Sequence, residues 1–190
     1  MAQGDLFAWE DVAMTDNLSG EAPHDRAARL GRAAMGERLG GFIYGTIVAL
    51  AVVVAGARAY PHAAGHIALL VAATSVAFWL AHVYSHALGH SVASDQHLSI
   101  SELRHIARRE GSIIEASLPP LGALVLGAMG VISTQAAVWT AFALGLGVLA
   151  AQGLTVARVE RLGRLATLAI VAGNVSLGML LVGLKLAVSH

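Results

Sequence analysis

The chain has 190 residues, 56% hydrophobic and 13% charged, and a mean hydropathy of +0.68. That balance excludes an ordinary soluble domain and fits helices packed in lipid. The formal charge is zero, and the absence of cysteine excludes disulfides, thiolate metal sites and redox thiols. Eleven arginines against one lysine, among abundant Ala, Gly and Val, point to a GC-rich bacterial genome.

Residues 1–22 place Phe7 and Trp9 among Asp5, Glu10, Asp11 and Asp16, as in an acidic tail. The first 38 residues hold seven of the twelve acidic side chains and no apolar h-region, so no cleavable signal peptide is expected. Residues 24–38 predict a basic amphipathic helix, with Arg26, Arg29 and Arg32 recurring every third position, suited to an anionic inner leaflet. Domain boundaries are therefore expected at 1–38 for the tail and 39–190 for the membrane domain.

Five apolar stretches follow, near 39–60, 66–89, 112–132, 136–157 and 165–188. Each approaches the ~20 residues a helix needs to cross ~30 Å of hydrocarbon. The expected class is all-α, a polytopic integral membrane protein with five transmembrane helices. Gly41 and Gly45 form a GxxxG in the first stretch, and spaced glycines recur in the last three, marking seams where backbones approach closely. Such seams also permit a homo-oligomer. Between the second and third stretches, residues 91–111 are polar and predict part helix, because Ser99 and Glu102 have capping-box spacing. Ser112 and Glu115 repeat that spacing, and Pro119-Pro120 predict a kink or interruption in the third span.

Arginines set the expected orientation. Arg26, Arg29, Arg32, Arg38, Arg104, Arg108, Arg109, Arg158, Arg161 and Arg164 fall on one side, and only Arg58 and Lys185 on the other. The positive-inside rule then puts the N-terminus in the cytoplasm and the C-terminus outside, in a bacterial inner membrane.

His82, His86 and His90 recur every four residues in the second span, within about 80° of one helix face. Phe78 and Ser75 extend that face. Imidazoles against lipid are costly, so the stripe is expected to face the bundle or a wet cavity. Tyr44, Glu115 and Gln152 fall at similar depth on other spans, and Asn174 lies near the middle of the last. A polar pocket open to the cytoplasm is the expectation.

Histidine ordinarily titrates near neutral pH, so the first functional reading is a channel or carrier for protons or small cations, with Glu115 as acidic partner or gate. The second is a metal-dependent membrane enzyme or metal carrier. His82 and His86 would clip zinc, iron or manganese, His90 or Glu115 would complete the set, and Tyr84 would act as an acid or orienting group. Haem is disfavoured, because every histidine at membrane depth lies on one span. The third reading is a non-catalytic scaffold or regulator working through the charged inner loops. No phosphate loop, nucleophile elbow, EF-hand or nucleic-acid module is present, so no nucleic-acid partner is expected.

Overall fold

The structure, a computed structural model, describes residues 23–94 and 99–188. The acidic segment around Phe7 and Trp9, His97 and His190 lie outside them, as does the side chain of His90. Among the described residues the regular structure is entirely helical: α1 (Pro23–Ala59), α2 (Ala64–Ser94), α3 (Ile100–Arg109), α4 (Ser112–Ala128), α5 (Thr134–Val159) and α6 (Arg164–Val188). Contacts divide the chain into two units, Met1–Glu37 and Arg38–His190. In the first, residues 23–37 are helical and Arg26, Arg29 and Arg32 are exposed. The helix expected over 24–38 is present as the first part of α1.

In the second unit the helices run up and down. A tight turn at 60–63 joins α1 to α2, with the Tyr60 and His66 rings stacked 5.0 Å apart. At one end Gly41 of α1 lies against Ser112 of α4, and Gly45 lies against the Ile113 backbone. At the other end Gly127 of α4 sits between Ala64 of α2 and Ala137 of α5. Midway, Leu50 is fully buried and fills the space left by Gly145 of α5. Helix α6 packs on α5, where Gly153 meets Val171 and Gly178 meets Leu146 and Leu149. Glycine suits these crossings because helices in lipid gain from close approach rather than from expelling water.

Four helices are long and apolar enough to cross a membrane: His24–Ala59, Ala64–Gly89, Thr134–Val159 and Arg164–Gly183. At 17 residues α4 rises only about 25 Å, short of the ~30 Å of hydrocarbon. It still runs from end to end of the bundle, and counting the bent pair α3–α4 as one span brings the number to five.

Two local expectations are corrected. The interruption expected at Pro119-Pro120 does not occur, since α4 is unbroken through both prolines. Proline removes donors, yet its fixed φ is itself helical, so the chain loses hydrogen bonds without leaving the helix. The break comes earlier, where α3 and α4 meet at 44° around Glu110 and Gly111. The second correction concerns the cap expected at Ser112. Gly111 is the N-cap and offers no side-chain bond, while Ser112 is buried in the first turn beneath Gly41. The box at Ser99 does form, with Ser99 N–H donating to Glu102 Oε2 at 2.8 Å and Glu102 N–H donating to Ser99 Oγ at 3.2 Å.

Left-handed backbone closes two of the turns. Gly130, at φ 75°, follows α4, and Val131 N–H reaches back to the Leu126 carbonyl. The same wrap ends α5 with Arg161 at φ 51°, a conformation that costs a non-glycine residue about 1 kcal/mol.

Candidate functional site

Burial changes in steps along one face of α2. Ser75 is buried at 4% exposure, Phe78 and His82 are half-buried, and the His86 side chain is 58% exposed. The stripe therefore begins in the packed core and opens at the arginine-rich end. The reason lies in α1. Against the first turn of α2 it is held close, with Gly56 on Ile67, whereas opposite the middle of α2 it offers the larger Tyr44.

Tyr44 is the member of the expected set that meets the stripe. Its ring lies 5.9 Å from that of Phe78 and 5.2 Å from that of His82, tilted by 51° to the imidazole. His82 Nδ1 stands 3.0 Å from the Phe78 carbonyl oxygen. A carbonyl only accepts, so this hydrogen bond requires the proton on Nδ1, which in the neutral ring leaves the lone pair on Nε2.

His86 turns to the α3–α4 junction. Its Nε2 lies 3.5 Å from Glu110 Oε1, beside a groove of about 310 Å³ lined by Ser85, His86, Gly89, Ile106, Arg109 and Glu110. Trp79 ties the same helices together, its Nε1–H donating to the Ala107 carbonyl at 3.0 Å. Glu115 neither caps α4 nor enters the stripe. It accepts from Arg38 Nη2 of α1 at 2.9 Å, with both side chains about half-exposed. An ion pair this open to its surroundings contributes about 0–1 kcal/mol.

The rest of the expected set lies apart. Tyr84 is 66% exposed, on a different face of α2 from the stripe. Gln152 is half-buried on α5, and Asn174 Nδ2 donates to the Leu149 carbonyl at 3.4 Å, joining α6 to α5. Among the described residues no three His, Asp or Glu side chains are grouped to hold a metal ion.

Three participants were missed from sequence. In the sequence Arg38 marks only orientation, and no motif sets Glu110 or Trp79 apart. Arg38 and Glu110 carry a local cue, each being a charge beside the end of an apolar run, whereas Trp79 lies inside one and carries none.

Beyond His82 the core turns apolar, through Leu50, Val53, Val54, Val71, Leu124, Val138 and Phe142. Two buried hydroxyls there satisfy themselves within their own helices, Thr46 on the Phe42 carbonyl and Ser117 on that of Ile114, each at 2.8 Å. At the far end a second polar cavity, of about 440 Å³, is lined by Ala57, Pro61, His62, Ser133, Thr134, Gln135 and Val138. Comparison with protein-family models, curated proteins and solved structures finds no match for this chain.

Proposed function

We propose that this chain is a bilayer-spanning subunit that moves protons or small cations, or gates their movement, with the arginine-rich end in the cytoplasm. The graded burial of the α2 stripe carries this reading. It gives titratable groups a route from an open end to the edge of a dry core. His82 Nε2 is the relay or cation-binding atom, the Tyr44 ring packs beside it, and His86 with Glu110 forms the mouth. The core between His82 and the His62 cavity holds a few hydroxyls but no buried titratable side chain among the described residues. The remaining distance is then crossed at a contact between copies, in a homo-oligomer of the bacterial inner membrane. The metal-dependent reading has weaker support, because the His82–His86 clip finds no third ligand among the described residues.

The test is flux from liposomes containing purified protein, driven by a pH gradient or a cation gradient. His82→Ala should lower flux by about tenfold or more, since removing a positioned proton carrier costs about 10²–10⁴ in related chemistry. His86→Ala should lower it less, and His105→Ala, on the exposed face of α3, should leave it unchanged. Equal flux in all four proteins, or none above empty liposomes, would overturn the proposal.

A further inference from the structure

We infer that α3 is a docking arm for the anionic lipid surface at the arginine-rich end, with Arg104 and Arg108 binding lipid phosphates. The inference rests on the bilayer-spanning reading but not on ion movement.

Three observations carry it. First, α3 is strongly two-sided. At 100° per residue, Ile100, Leu103, Ile106 and Ala107 share about 120° of its surface, and Arg104, His105, Arg108 and Arg109 occupy the opposite side. Second, only part of the apolar side is used within the chain. Ile106 and Ala107 turn to α2, but no residue of α3 is buried, and Ile100 and Leu103 remain 81% and 42% exposed. Third, Arg104 and Arg108 meet no counter-charge among the described residues. Both are exposed, as are Arg158, Arg161 and Arg164 of the α5–α6 turn, which likewise lack an ion-pair partner among the described residues. Glu102, the acidic residue on the same helix, is engaged in its cap.

Depth agrees with this. Ten residues rise ~15 Å, and α3 leaves the line of α4 at 44°, so its far end stands only about 11 Å beyond Ser112 along that line. The headgroup layer is about 5–8 Å thick on each side of the hydrocarbon. Helix α3 thus slants through the layer where phosphates lie, with Leu103 toward the hydrocarbon and the arginines among the charges. A basic amphipathic helix at that depth matches an anionic lipid surface better than an acidic soluble partner, which would leave Ile100 and Leu103 in water.

Because the chain has no cysteine, single substitutions give unique probe sites. Full-length protein with a fluorophore at Leu103→Cys, His105→Cys or Leu144→Cys is reconstituted with lipid-borne quencher, in phosphatidylglycerol or phosphatidylcholine bilayers. The Leu103 probe should be quenched about threefold more than the His105 probe in phosphatidylglycerol. That contrast should fall by at least half in phosphatidylcholine, in about 0.5 M salt, or with Arg104→Gln and Arg108→Gln together. Equal quenching at 103 and 105, or a contrast indifferent to lipid charge and salt, overturns the inference. So does shielding at 103 that tracks protein density, which would assign the face to a second copy. The Leu144 probe, on an exposed apolar position of α5, separates the two claims: if lipid does not quench it, the bilayer-spanning reading itself has failed.

Discussion

Glycines that look alike in sequence differ in what they do. A Cβ on Gly45 would lie 2.7 Å from the Ile113 carbonyl oxygen and 3.0 Å from its Cα, both backbone atoms that cannot yield without separating α1 from α4. A Cβ on Gly147 would meet nothing within 4 Å. Gly45→Ala should therefore destabilise the folded protein by about 1–3 kcal/mol. Gly147→Ala should be neutral or stabilising by up to about 1 kcal/mol, from helix propensity. Thermal melts in one detergent compare the two, and equal shifts would contradict the packing described. Sequence spacing marks both glycines as seam positions, and only the register of the helices tells them apart. The same limit applies to His82. Its depth is legible from its place in the second apolar run, but its meeting with Tyr44 depends on how α1 is rotated, which no local pattern encodes.

Among elements, the helices themselves were the most legible part, because long apolar runs in lipid leave the backbone few alternatives. Their ends were legible where a side chain caps them, as at Ser99, and misread where packing takes the side chain instead, as at Ser112. The prolines misled for a related reason. Pro119 and Pro120 leave α4 continuous, whereas the break in the helix, with its 44° bend, comes where Glu110 and Gly111 separate two helices. Helix α3 thus holds its place through a cap and a tether rather than through burial. Ser99→Ala should cost about 1 kcal/mol of local stability and speed amide exchange over the first turn of α3 about fivefold. Trp79→Phe, which removes the bond to the Ala107 carbonyl, should speed exchange at the other end of the same helix. Exchange unchanged by both substitutions would mean that α3 is held by contacts other than these.

Within the unit Arg38–His190, end-to-end passage by α1, α2, α4, α5 and α6 puts Arg38 and the end of α6 at opposite ends of the bundle. With five helices running between the two ends, the arginines of the α2–α4 connection and of the α5–α6 turn gather at the end where Arg38 stands. The arginine count anticipates this sorting, but the division of polar residues among separate helix pairs could not be read from depth alone. Tyr44 joins His82, Glu115 joins Arg38 and Asn174 joins the Leu149 carbonyl, where sequence suggested one shared pocket. What remains of that pocket is the stripe and its mouth.

The claim on which the account depends is that water reaches His82 from the arginine-rich end and is stopped by the apolar core beyond it. His82→Cys, in a chain otherwise free of thiols, can be exposed to a membrane-impermeant maleimide from each side of sealed vesicles. Modification is expected from the arginine-rich side alone, with His86→Cys reacting faster from that side. Modification of residue 82 from the opposite side, or from neither side while residue 86 reacts, would contradict it.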